Sequence, residues 1–323
     1  MTTHVQKTNR AHSLKALLAG AALLAFAPMA NAQTPAPVTP EAPAAEAAAT
    51  TEAPFAPALW VVRDADSTLY LYGTIHLRRP GEPWADARVQ TALASAQEVW
   101  TELEISPETE AAMQPLVMRL GMATPDRPLS SYLTPEQNAR LGAALTKLGL
   151  PPNGMEPLRP WLAAITVSVL SLVQAGYDPN AGVDRQLAAA AAANGATMRW
   201  FETAEEQLNF FATLPEEVQV QFLVDGVDEL DEGVALLDRM DASWNTGDMA
   251  TLEADMIVEM RAQYPELYDV ILTQRNARWT ETLTQELAGS GVDFVAVGAG
   301  HLIGSESVIA MLAARGIVAE RVY

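Results

Sequence analysis

The chain contains no cysteine. Disulfides, thiolate metal sites, cysteine nucleophiles and lipid-bearing cysteines are therefore excluded, and stability must come from packing. Positive charge is scarce as well: 20 Lys and Arg stand against 40 Asp and Glu, a formal charge of −20. The leader described below carries three cations and no acids, so removing it would leave −23. Such a surface repels phosphate backbones and anionic headgroups, which argues against nucleic acid and anionic lipid as partners. Beyond the leader no uninterrupted apolar run reaches the roughly 18 residues that mark a transmembrane helix. Walker A and dinucleotide fingerprints are missing, as are H-E-x-x-H and G-x-S-x-G. Nucleotide binding, the common zinc-protease helix and the serine-hydrolase elbow therefore have no support.

Histidine is the last scarcity, with four in the chain: His4, His12, His76 and His301. The first two fall in a segment that reads as a secretory signal. Lys7, Arg10 and Lys15 form a positive n-region, residues 16–29 an apolar h-region, and Ala30-Asn31-Ala32 a cleavage site. The expectation is an exported, periplasmic or secreted protein. Residues 33–57, rich in Pro, Ala, Thr and Glu, read as a disordered tether. The folded body is expected as one domain over 58–323.

Within that body the two remaining histidines share one local context. Leu69 to His76 reads LYLYGTIH, and Phe294 to His301 reads FVAVGAGH. Each is a short apolar run, the pattern of a buried strand, closed by Gly-x-x-His. Glycines Gly73 and Gly298 allow the chain to turn at the strand end. A helix-patterned segment and a further strand follow in both places: 84–97 and 98–105 after the first motif, 305–315 and 317–322 after the second. The fold class expected is α/β, a mixed β-sheet core built from two strand–GxxH–helix–strand halves. Between them lies a large helical insertion, about 107–290, covering one side of the sheet. Helix starts are signalled at Ser106-Pro107, Thr134-Pro135 and Leu214-Pro215. Thr197 to Phe201 reads as an extra strand inside the insertion, ending at Glu202.

Imidazole serves as a general base or as a ligand for a transition metal. A metal site built on His76 and His301 would need a carboxylate and an open position for water. Glu102 and Glu104 alternate onto one face of the strand after the first motif, beside Trp100. Glu202 is a third acid at a strand end. In the segment TQRNARW, Arg275 and Asn276 fall on or next to the apolar stripe of a helix. A buried guanidinium there requires a carboxylate, such as Asp184, or an anionic substrate group.

LYLYGTIH, TELEI, RNARW and VGAGHLIG together resemble the TraB/PrgY/GumN family, with the animal Tiki proteins as distant relatives. The resemblance runs from about Leu59 to Tyr323. It matches Gly73 and His76 to the first motif, Gly298 and His301 to the second, and Glu102 to the strand glutamate. It further matches Arg275 and Asn276 to a polar pair, and Gly182 and Asp184 to a Gly-hydrophobic-Asp element before a helix. Glu104 departs from the Asp often found there. What the resemblance implies is a metal-dependent hydrolase, Mn or Co by analogy with Tiki proteins, acting on peptide or protein substrates. His76, His301 and Glu102 would hold the ion, Glu104 or Glu202 take the proton, and Arg275 and Asn276 orient the substrate. Two other functions fit the same residues: a peptide-sequestering protein without turnover, and a metal-free hydrolase using the histidines as acid and base.

Overall fold

A computed structural model of the chain describes residues 54–323. The leader and most of the proposed tether lie outside the described residues. The centre is a six-stranded mixed sheet in the order β4-β3-β5-β2-β1-β6. The hairpin β1 (Leu59–Arg63) and β2 (Ser67–Thr74) opens it. Its turn is held by Asp64, whose side chain accepts from the N–H of Ser67 at 2.8 Å and of Asp66 at 3.1 Å. The helix α1 (Ala87–Ser95), capped by Asp86, leads to β3 (Glu98–Leu103). Strand β5 (Gly291–Gly298) then inserts between β2 and β3 and runs parallel to both. Gly73 pairs with Val297 and Thr74 with Gly298, so both Gly-x-x-His turns leave the same end of the sheet side by side.

Between β3 and β5 come α2 (Pro107–Gly121), α3 (Pro135–Lys147), α4 (Pro160–Gln174) and α5 (Val183–Ala193). Strand β4 (Thr197–Glu202) follows and extends the sheet parallel to β3. Next are α6 (Ala204–Ala212), α7 (Glu216–Asp228) and α8 (Glu232–Thr246). Ser106, Thr134 and Thr203 cap their helices as the sequence pattern requires, the last two with full capping boxes. Helix α4, PWLAAITVSVLSLVQ, is apolar on nearly all sides and is correspondingly buried in the centre of the helical layer. None of the helices among the described residues is long and apolar enough to cross a membrane.

The sequence pattern reads as continuous helices over 215–245, 248–263 and 265–288, and the chain from 249 to 287 departs from this. It is cut into α9 (Met249–Glu253), α10 (Glu259–Gln263), α11 (Pro265–Tyr268) and α12 (Gln274–Leu287). Two π-helical turns, Ala254–Val258 and Asp269–Thr273, are set into the run. The long helix expected over 215–245 is likewise divided between α7 and α8.

The insertion also covers both faces of the sheet rather than one. Tyr72, Val99, Leu103, Phe294 and Ala296 face the main helical layer. Leu69, Leu71, Val295 and Val297 face the opposite way, where Trp279, Leu283 and Leu287 of α12 meet them. The stripe that makes α12 amphipathic is what draws it across. That face is completed by α13 (Val308–Ala314). The last strand, expected over 317–322, shortens to β6 (Glu320–Arg321), with Val322 N–H bonding Leu59 O at 2.8 Å.

One pairing in the sheet is unfavourable. Asp293 of β5 stands directly opposite Glu98 of β3. Burial, then Glu98 and Glu286, raise the Asp293 carboxyl to about 6. A folded-state pKa above the usual carboxylate value means that stability falls as pH climbs through this window and stays lower above it. Asp293→Asn should therefore stabilise the protein at pH 8, by about 1 kcal/mol once solvent screening is allowed for. The gain should fade below about pH 4, which urea melts at the two pH values would read.

Candidate functional site

The two turns at the sheet end bring His76 and His301 together. A Cβ built on Gly298 would lie 3.1 Å from Glu102 Oε1, 3.5 Å from His76 Nε2 and 3.7 Å from His301 Cδ2. The two rings therefore reach within about 7 Å of each other around one point, with Glu102 beside them. The missing side chain of Gly298 is what leaves room for this meeting. Gly73 allows the neighbouring approach, since its own Cβ would sit 3.0 Å from the Cα of Ala299. All the groups are buried: His76 is 2 % exposed, His301 4 %, Glu102 6 % and Arg275 7 %.

Each imidazole is fixed through its far nitrogen. His76 Nδ1 lies 2.6 Å from Oδ2 of Asp184, whose other oxygen accepts from Thr74 Oγ1 at 2.6 Å. Asp184 sits in the first turn of α5, and Gly182 lets that helix start against the His76 backbone. A Cβ on Gly182 would fall 2.3 Å from the His76 carbonyl oxygen. His301 Nδ1 lies 2.6 Å from Asn276 Oδ1, and Asn276 Nδ2 donates to the Glu306 carbonyl at 2.7 Å. The guanidinium of Arg275 approaches His301 Nε2 at 3.1 Å. Arginine can only donate, so Nε2 is the unprotonated nitrogen and Nδ1 carries the hydrogen that Asn276 receives.

The two histidines differ electrically. Burial works against charge on His76, but Asp184, by its charge and its hydrogen bond, outweighs this and raises its pKa. Burial and then Arg275 push His301 down to about 3, so it is neutral at ordinary pH. Glu102 resists burial because Arg275 and the Gly298 N–H favour its ionised form, and its pKa falls to about 2. Its Oε1 accepts from Gly298 N–H at 2.7 Å and its Oε2 from Arg275 Nη2 at 2.5 Å.

Glu202 holds the other side of the guanidinium. It accepts from Arg275 Nε at 2.9 and 3.1 Å and from Nη2 at 2.8 Å. Trp279 Nε1 at 3.1 Å and Gln207 Nε2 at 3.0 Å complete its shell. Arg278 adds a contact of 3.4 Å. Arg275 is thus paired with Glu102 and Glu202, while Asp184, considered from sequence as its partner, belongs to His76. Glu104 lies past the end of β3, half-buried, and accepts from Thr109 Oγ1 at 3.0 Å at the start of α2. The strand ends one residue before Glu104, so the alternation that would carry it beside Glu102 is interrupted.

Sequence reasoning missed Thr74, Gln207 and Trp279. Trp279 was visible only as a stripe residue, yet its ring stacks 4.9 Å from Phe201 and stands 4.3 Å from the His301 ring. Among the described residues no group of three His, Asp or Glu stands ready to hold a metal ion.

Removing Glu202 would leave the buried guanidinium short of a carboxylate and strand the Trp279 and Gln207 donors. Glu202→Ala should cost about 3 kcal/mol in urea unfolding, with Glu205→Ala on the surface as a near-neutral control.

Comparison with curated proteins and with solved structures returns no match. A family profile does match, over residues 58–321, which takes in both histidine turns, β3, β4 and α12. The chain belongs to the TraB/PrgY/gumN family.

Proposed function

We propose that the chain is a hydrolase of peptide bonds in exported peptides or proteins, with His76, His301, Glu102 and Arg275 as its working groups. The observation that carries this reading is the convergence at Gly298: two imidazoles from separate motifs and an ionised glutamate share one buried point. A purely structural core would have little reason to assemble titratable groups at such desolvation cost. Export is proposed from the leader and cleavage site in residues 1–32.

By chemical type, though not in the spacing they hold with Arg275 among them, the donors suit a divalent ion. Two imidazoles and a carboxylate suit Mn²⁺ or Co²⁺, and each of the three is oriented by a further hydrogen bond, to Asp184, to Asn276 or from the Gly298 N–H. The buried charge also fits. With neutral imidazoles, the cluster's carboxylates, Asp184, Glu102 and Glu202, outnumber its guanidinium, Arg275, by two. His76, Glu102 and His301 would hold the ion, which when bound would lower the pKa of water and polarise a carbonyl. Arg275, which now touches His301 Nε2 and Glu102, would have to yield those contacts, and it would then be free to stabilise a developing oxyanion. Glu202 keeps the guanidinium anchored through Nε.

The position of Arg275 favours a second reading. With the guanidinium already on His301 and Glu102, the Asp184-oriented His76 is a proton acceptor in place for metal-free hydrolysis.

A peptide library incubated with the purified protein and read by mass spectrometry, together with metal analysis, decides between them. The expected result is cleavage, a bound divalent ion, and loss of turnover of at least 100-fold in excess chelator or in His76→Ala and His301→Ala. Cleavage that persists in chelator with no ion in the protein would leave the metal-free form. Retention of peptides without cleavage would replace both by sequestration.

A further inference from the structure

Arg78, two residues after His76, is 1 % exposed and belongs to none of the contacts described above. Its Nε donates to Asp241 Oδ1 at 2.8 Å. Its Nη2 donates to Asn245 Oδ1 at 2.8 Å and to Glu82 Oε2 at 2.9 Å. Its Nη1 donates to the Pro83 carbonyl. Asp241, Trp244 and Asn245 all project from α8. The guanidinium lies 4.7 Å from the Trp244 ring, and the indole N–H of Trp244 donates to the Gly73 carbonyl at 2.7 Å. The Arg78 carbonyl in turn accepts from Asp178 N–H at 2.9 Å, and the Ile75 carbonyl from Val183 N–H at 2.9 Å.

One helix, α8, therefore grips the Gly-Thr-Ile-His turn at both ends, through Trp244 at Gly73 and through Asp241 and Asn245 at Arg78. A buried guanidinium with every nitrogen bonded gains little over an apolar side chain of similar volume, and holding one geometry is the best-attested use of such a group. The loop it fixes has to present Nδ1 of His76 to Asp184 and Nε2 to Gly298. We propose that Arg78 is a positioning residue for His76, acting through α8. Its importance for turnover rests on the reading of His76 as a working group.

The test uses the whole chain, with Arg78→Met and Arg78→Lys, and reads the imidazole protons by ¹⁵N-edited NMR. In the unsubstituted protein the buried Nδ1–H of His76, bonded to Asp184, should appear as a slowly exchanging low-field resonance, separate from that of His301. Arg78→Met should keep a cooperative melt yet lose or broaden the His76 resonance and spare that of His301; Arg78→Lys should restore part of it. Leu141→Ala, on α3, removes an unrelated buried side chain. It should lower the melting temperature without moving either resonance. A folded Arg78→Met with an unchanged His76 resonance overturns the proposal. Should Arg78→Met not fold, Trp244→Phe keeps an aromatic ring there and drops the bond to Gly73; the same His76 resonance should shift, and its constancy would overturn the proposal equally. If the resonance is lost as expected but His76→Ala leaves turnover intact, positioning stands and the hydrolase reading fails.

Discussion

The interior around the two histidines is held in register by one buried cation, Arg275. The Arg275 guanidinium sits between Glu102 on β3 and Glu202 at the end of β4, and it reaches His301 beyond the end of β5. Taking these charges out of water is costly, and only nearly complete pairing offsets the cost. The arrangement therefore fixes α12 against three strand ends at once. Remove any one partner and the others become uncompensated charges in a dry place. The π-helical turn just before α12 belongs to the same arrangement, because Arg275 Nη1 also donates to the Ile271 carbonyl within that turn at 3.0 Å. Such turns alter the phase of a helix and often occur where a side chain must be aimed.

The two Gly-x-x-His turns leave the same end of the sheet, the first after β2 runs on to Thr74 and the second as a 3-10 turn over Ala299–Leu302, and their chemistry is unequal. His76 faces a carboxylate and is drawn toward the charged form; His301 faces a side-chain amide and a guanidinium and is held neutral. One sequence motif used twice has thus been placed in two electrostatic settings by the residues that α5 and α12 bring to it. Pairs of titratable groups pushed apart in this way are characteristic of acid–base chemistry.

Much of this was legible in the chain itself. Apolar runs closed by glycine marked β2 and β5, and proline with a capping residue marked the starts of α2 and α3. Two histidines in matched surroundings pointed to a shared location. What could not be read was pairing at a distance. Glu102 and Glu104 look alike on an alternating strand, and only the end of β3 at Leu103 separates a residue of the cluster from one at a helix start. Sequence offered Asp184 as a partner for Arg275 and left Glu202 as an acid at a strand end, and long-range packing alone assigns Asp184 to His76 and Glu202 to Arg275. The amphipathic stripe of α12 was visible, but nothing local says which face of a sheet a stripe will choose.

The spacing of the two imidazoles is set by main chain pressed on main chain. Gly73 rests against Ala299, and Gly182 against the carbonyl of His76. Side-chain contacts can be adjusted by gradual substitution, whereas here any larger residue acts as a wedge. The gap between the histidines is therefore not a quantity that drift can tune by degrees. Gly182 is the strictest of these glycines, since any side chain there must drive the start of α5 off the His76 carbonyl in one step.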